Sequence, residues 1–366
     1  MRNRAGIALV LALTVLLVVE ALTACMLTLA TQARLVGASD IRSARADAAA
    51  QLAVGRVLNA ATQDRYDTLP AGVIVPLITD AEADASWSAT IERLQSGLFV
   101  IRANAQVGGG SAFSQARAVA IAHVLDRTAV LRESNSAVIG SGLTIMAGAA
   151  QITADPAGLP PTWPASICPA VPPLPMPDAM TTASPPTISA TAAVTGSILV
   201  DTMLAIPDSL ALGGLSWSEL ASVADRAESG IISPAAVHDA TSCDQAAAGN
   251  WGDPFQPGSP CADYFPLIVS RGDLQVQGGA GQGILAVAGT LTLSAGASFV
   301  GVIIARDGVS IEPGAAVHGS VRSRGPAALI DDATIAYSRC AIARALAQTP
   351  AGRRLMLKPR TFIPAF

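Results

Sequence analysis

The sequence predicts an α+β protein: a long N-terminal transmembrane and amphipathic helix with a small antiparallel sheet, followed by a mainly-β parallel solenoid with a loop-rich insertion. Three observations predict it. An uncharged apolar run near the start leads into helix-compatible sequence with no proline until Pro70. Three alternating stretches joined by glycine turns follow between Trp87 and His123, and the C-terminal third repeats itself every 18 residues.

The first element begins with Arg2 and Arg4, reaches Gly6, and then runs without a charge from Ile7 to Val19. Glu20 interrupts once, and Ala21 to Ala30 completes a segment of about 24 residues, enough as a helix to cross a hydrocarbon core of roughly 30 Å. A cleaved secretory signal also starts basic and apolar, and Ala21-Leu-Thr-Ala24 offers a small-residue site of the kind such signals end on. The continuation favours an anchor that is kept. Ile41, Ala44, Ala48, Leu52 and Gly55 recur at spacings of three and four, the pattern of a helix with one apolar face, while Asp40, Arg42, Arg45, Asp47 and Arg56 fall elsewhere.

A basic leader, a glycine and an apolar segment that becomes the upper half of a long helix resemble the class III leader of type IV pilins. In particular Arg4-Ala-Gly-Ile-Ala-Leu-Val-Leu-Ala-Leu is similar to the start of PilX-type minor pilins and of the K pseudopilin of type II secretion. The resemblance implies that a prepilin peptidase cuts after Gly6 and leaves Ile7 as a methylated first residue. It also implies that other pilin-like subunits are partners through this helix. Leu11 occupies the fifth mature position, where major pilins carry a glutamate, and Glu20 is the segment's only acid. That departure resembles the tip-located K pseudopilin. By the positive-inside rule Arg2 and Arg4 predict a cytoplasmic N-terminus, and the resemblance implies a single crossing of the inner membrane with the ectodomain periplasmic or extracellular.

Composition bounds the remainder. With 366 residues the chain exceeds one typical domain, and a net charge of −4 with 14% charged residues argues against a nucleic-acid partner. Aromatic residues make up 4% against 51% hydrophobic residues, so the cores must be packed from Ala, Val, Ile and Leu. Beyond Cys25 in the anchor, Cys168, Cys243, Cys261 and Cys340 would lie in an oxidising compartment, where two disulfides with three possible pairings are expected. Cys243 with Cys261 closes a Pro/Gly-rich loop and is favoured, leaving Cys168 for Cys340.

Residues 63 to 85 read as a turn-rich connector. Trp87 to Leu94, Leu98 to Val107 and Ser114 to His123 then read as an antiparallel meander that packs on the helix. In the C-terminal repeat Leu291 matches Val309, Leu293 matches Ile311, Gly296 matches Gly314 and Gly301 matches Gly319. Short alternating strands between glycines at this period are the mark of stacked coils. The block from Pro266 fits with one residue slipped, and Gly142 to Gly148 echoes Gly289 to Gly296 as an extra rung. The expected organisation is a leader and transmembrane helix at 1–30, an amphipathic helix and sheet at 31–127 and first solenoid strands at 128–155. A Pro-rich, disulfide-closed insertion at 156–265, solenoid repeats at 266–337 and a capping helix with a basic tail at 338–366 complete it.

Chemistry is sparse. Gly278-Gly-Ala-Gly-Gln-Gly283 is followed by strand-like sequence, whereas a phosphate cradle needs a helix there. His123, His238 and His318 are isolated, with His318 expected in solvent at a turn. Asp307, Asp331 and Asp332 match no defined calcium loop. No catalytic residue, cofactor or metal site is expected. The function that the sequence favours is a non-catalytic minor-pilin-like envelope protein in a pilus or secretion filament. The alternative is a membrane-anchored β-helix that binds or processes surface polysaccharide.

Overall fold

The computed structural model describes residues 4–60, 69–82, 85–95, 97–108, 114–204, 211–349, 355–357 and 363–365. The chain divides into two compact units: residues 1–61, 69–122 and 356–366 form one, and residues 62–68 with 123–355 the other.

In the first unit, helix α1 (Arg4–Ala60) runs unbroken for 57 residues. Its second half packs on an antiparallel sheet of β1 (Ile74–Glu82), β2 (Ala85–Gln95), β3 (Leu98–Val107) and β4 (Ser114–His123), in that order. Strand alternation explains which face is buried. Trp87, Ala89 and Ile91 of β2 point inward, as do Phe99, Ile101, Ala103 and Ala105 of β3 and Ala116, Ala118 and Ala120 of β4. Ala89 pairs with Ala103 and Ile91 with Ile101, so the inner face is low and smooth near its alanines.

The helix meets that face with Ala46, Ala49, Ala50, Ala53, Val54 and Val57, all buried. This corrects the expected face: Ile41 and Leu52 are exposed. The physical reason is size, because an alanine stripe on the helix can approach an alanine-rich sheet closely, and the bulkier residues are left outside. Strand β1 was also unforeseen, its residues having read as a connector. Two short segments near the C-terminus, Met356–Leu357 and Ile363–Ala365, return to pair with β4. The basic tail residues Arg353, Arg354, Lys358 and Arg360 lie outside the described residues.

The second unit is a parallel solenoid with three-sided coils. Its first coil is β5 (Ser136–Gly140), β6 (Thr144–Met146) and β7 (Gln151–Thr153), and its second is β8 (Asp178–Thr182), β9 (Thr187–Ile188) and β10 (Ala193–Thr195), followed by β11 (Ile198–Val200). The chain resumes with β12 (Arg226–Ala227) and β13 (Gly230–Ile232), then β14 (Leu267–Ser270), β15 (Leu274–Gln277), β16 (Ala280–Val287), β17 (Thr290–Ser294) and β18 (Ser298–Ala305). It ends with β19 (Gly308–Ile311), β20 (Ala316–Ser323), β21 (Ala327–Leu329) and β22 (Thr334–Ala336).

The 18-residue repeat is the stacking register itself: Leu291 lies beside Val309, Leu293 beside Ile311 and Gly301 beside Gly319. The slipped block is visible too, since Leu274 pairs with Leu291 while Ala280 pairs with Ser298. Strands β16, β18 and β20 each serve two sides of the coil and turn at Gly283, Gly301 and Gly319, all with positive φ and stacked in register. A Cβ on Gly301 would strike the backbone carbonyl of Gly283, and one on Gly319 that of Gly301, so the corner tolerates no side chain.

Coil order in space differs from order in sequence. The last coil pairs with the first, Val321 beside Val138 and Ala327 beside Thr144, and the β8–β10 coil lies beyond it. Residues 156–265 are loop-rich as expected, yet they also supply six short strands, β8 to β13, to the two parallel sheets. Strands of two to five residues leave almost no periodicity to read. Helices α2 (Arg127–Glu133), α3 (Trp217–Val223) and α4 (Arg339–Gln348) complete the unit. Helix α4 was expected to cap an end. It lies instead along the flank, against β16, β18 and β20, and buries Ala341, Ile342, Ala345 and Leu346 there.

Candidate functional site

The feature that stands out is the first half of α1. From Val10 to Val36 its large apolar residues are exposed on every side, Leu11 at 61% and Leu27 at 71% among them. A helix apolar all round has no stable place in water and suits a bilayer or other helices. Its polar groups are largely silenced internally. Thr14, Thr23, Thr28 and Thr31 each donate their hydroxyl back to carbonyls three and four residues earlier, such as Val10 and Val19 at 3.0 and 2.8 Å. Glu20 is exposed within this surface, as is the free thiol of Cys25. Gly6 and Ile7 lie in the first turns of the same helix, and Ala21 to Ala24 sit in its uninterrupted middle.

Further along, Arg56 on α1 bonds Asp80 of β1 at 2.7 Å and covers the Trp87 ring at 5.0 Å, fixing the helix over the sheet. The outer face of this sheet bears a cleft of about 380 Å³ lined by Ser86, Ser88, Asn104, Gln106, Gln115 and Arg117 among others. It contains amides, hydroxyls and a guanidinium, with no carboxylate, imidazole or thiol among its lining residues. Such a set can hydrogen-bond but lacks an acid–base pair.

The solenoid unit holds its polar groups in structural roles. Both expected disulfides are present: Cys168–Cys340 ties the Pro-rich tract to α4, and Cys243–Cys261 closes the loop before β14. Arg344 of α4 is sandwiched against Trp163 at 4.8 Å and Phe265 at 5.3 Å and pairs with Asp263. Asn250 donates to the carbonyls of Val237 and Asp244, and the Gln282 amide nitrogen faces the carbonyls of Cys261, Ala262 and Tyr264. These partners were not foreseen. The one signal for them is the concentration of scarce aromatic residues between Trp251 and Phe265.

The three histidines occupy separate places. His123 faces Glu219 at 3.3 Å, where Glu219 also closes a capping box on α3 with Ser216. His238 meets the Asp239 carbonyl oxygen through Nδ1 at 2.9 Å. His318 corrects its expectation: it is half-buried, packed edge-on against Phe255 with centroids 6.0 Å apart, and burial pushes its pKa down. Its Nδ1 is buried without a hydrogen-bond partner among the described residues. Asp239 is held at about 2, first by the Thr241 backbone N–H and then by the Ser242 hydroxyl and N–H, as a turn-forming carboxylate.

The acids weighed for calcium are likewise engaged locally. Asp307 pairs with Arg306 at 2.8 Å, and Asp332 accepts the Gly314 N–H at 2.6 Å. Among the described residues no group of three or more His, Cys, Asp or Glu side chains could hold a metal ion. Gly278–Gly283 opens into β16, so the helix that a phosphate cradle requires is not there.

No family model matches the chain, and no curated protein matches it. Among solved structures it is similar to an ice binding protein from an Antarctic biological consortium, at 14% identity over 57% of this chain and 90% of that one, with a TM-score of 0.31. It is also similar to the competence-associated pilin ComZ from Thermus thermophilus, at 14% identity over 88% of this chain and 98% of that one, with a TM-score of 0.25. Neither likeness is close enough to assign a family or a function.

Proposed function

We propose that the chain is a non-catalytic, pilin-like envelope protein anchored in the inner membrane by α1, and that it acts in assembly or tip display of a type IV pilus or type II secretion filament. The observation that carries this reading is the division of labour along one unbroken helix: exposed and apolar from Val10 to Val36, then buried on its own sheet from Ala46 to Val57. A span that continues rigidly into a folded head can leave lipid only by exchanging it for other apolar helices. Leu11, in place of an acid, fits a subunit that terminates rather than propagates such packing, and Glu20 is then the polar group whose partner must come from a neighbouring helix. Prepilin peptidase processing at Gly6 is part of the proposal. Deleting the gene and counting surface filaments tests it: fewer or no filaments supports the role, and unchanged filaments and secretion would refute it.

A second reading rests on one side of the solenoid. The sheet β13-β15-β17-β19-β21-β6-β9 contains no charged residue in any of its seven strands and turns Gln275, Thr292, Ser310 and Ala328 outward in one row. A flat, neutral face of that kind suits a neutral polymer such as a surface polysaccharide. Retention of the purified protein on insoluble glycan, lost on Thr292→Lys, is the expected result for this reading. Equal retention of wild type and variant would contradict it.

A further inference from the structure

The sequence writes an apolar stripe on the second half of α1 that the folded head leaves unused. Gly37, Ile41, Ala44, Ala48, Leu52 and Gly55 recur at spacings of three and four, which at about 100° per residue keeps them on one side of the helix. The sheet is packed by the opposite side, through Ala46, Ala50, Ala53 and Val57. Ile41 is therefore 59% exposed and Leu52 45%, and Ala44 and Ala48 are exposed between them. Glycine inside a helix costs stability relative to alanine, yet nothing within the chain requires it here: a Cβ at Gly37 or at Gly55 would meet no atom within 4 Å. Their small size serves a second helix lying close against the stripe.

Lipid does not reach this stripe. With Ile7 to Ala30 filling the hydrocarbon core, Ile41 and Leu52 stand about 16 and about 33 Å further along the axis, against roughly 5–8 Å of headgroup layer. Charge identifies the occupant. Asp40 and Asp47 border the stripe on one flank, and Arg34 and Arg45 border it on the other. A groove of about 340 Å³ runs along the basic flank, lined by Ala48, Leu52, Trp87 and Val107 among others, with Arg45 the only charged residue in its lining.

We infer that this stripe is a parallel two-fold interface between two copies of the chain, with Asp40 of each copy paired with Arg45 of the other. When two parallel helices meet through such stripes, one flank faces the opposite flank of its partner, as g faces e in a coiled coil. That sets acid against base on both sides of the seam. An antiparallel copy would set acid against acid and base against base, and an uncharged apolar helix would cover the stripe but leave both flanks unmatched. The interface closes on itself and does not propagate. The inference rests on the proposed anchoring, which holds the copies parallel and raises their effective concentration.

The test uses the full-length protein in membranes with Cys25→Ser and one new cysteine. Helix axes about 8–10 Å apart bring facing Cα atoms within the roughly 7 Å that a disulfide accepts. Mild oxidation of Ala44→Cys is expected to double the apparent mass on a non-reducing gel. Ser43→Cys, exposed at the same depth on another side of α1, is expected to remain monomeric. With Ala44→Cys in place, Asp40→Arg alone and Arg45→Asp alone should each lose the dimer, and co-expression of the two should restore it, because only the mixed pair sets opposite charges together. No dimer at position 44, equal dimer at 43 and 44, indifference to the charge reversals, no recovery on co-expression, or an adduct with a different protein would each overturn the inference. Recovery in the membrane fraction is scored separately: its loss refutes the anchor, whereas anchored protein that does not cross-link refutes only the interface.

Discussion

Val138 and Val321 stand side by side in parallel register, joining the first coil of the solenoid to the last although most of the unit's sequence lies between them. The contact makes the stack continuous from β11 to β12, and Ser320 reinforces it by donating its hydroxyl to the Ser136 carbonyl at 2.7 Å. Pairing so distant in sequence must wait for the intervening coils, so it should form late in folding. Met180, fully buried one layer beyond Val138, reports on this closure. Met180→Ala should cost about 2–5 kcal/mol in denaturant unfolding of the unit. A change below about 0.5 kcal/mol, the size typical of surface sites, would mean that the first coils do not share the core.

The glycine corner makes a sharper prediction. Gly301→Ala places a methyl against the Gly283 carbonyl at a positive φ, where neither backbone can retreat without breaking the stack. It should destabilise by on the order of 3 kcal/mol or more. Gly258→Ala is the control, because nothing lies within 4 Å of the new carbon and its φ is ordinary. Thermal melts of the two variants should separate clearly; equal melts would contradict the corner's geometry.

The disulfides differ in the length of chain they close. Cys168–Cys340 spans 172 residues and Cys243–Cys261 spans 18. By loop-closure entropy their removal should cost about 5 and about 3 kcal/mol respectively. Serine pairs at each bridge, compared by denaturant midpoint, should show the larger loss for the long loop. The reverse order would indicate that α4 stays docked on the flank without help.

His318 predicts a pH dependence with a definite sign. Burial lowers its pKa in the fold, while the unfolded chain takes up a proton below about pH 6.5. The unfolded state therefore binds more protons, and the stability His318 contributes is present above that pH and lost as the pH falls through and below it. Between pH 8 and pH 5 the melting temperature of His318→Gln should fall less than that of the wild-type protein. Equal falls would place the imidazole in water.

Much of this architecture was legible because physics wrote it as a period. The 18-residue repeat, the alternation of β2 to β4 and the uncharged run of α1 each translate directly into register, pleat or span. The face of α1 was not legible, since an alanine-rich helix carries little contrast between its sides, and size complementarity to the alanines of β2 and β3, such as Ala89 and Ala103, decided the matter. Strands β8 to β13 were hidden for a different reason: their hydrogen bonds come from neighbours far along the chain, so their own sequence need not favour strand.

The account as a whole stands on α1 being retained as an anchor and assembly helix. Intact-mass and N-terminal analysis of the protein recovered from membranes and sheared filaments tests this most directly. A mature chain beginning at a methylated Ile7, with Leu11 and Glu20 still attached, is the predicted result. A chain beginning at or beyond Ala24 and found free of membrane and filament would contradict it.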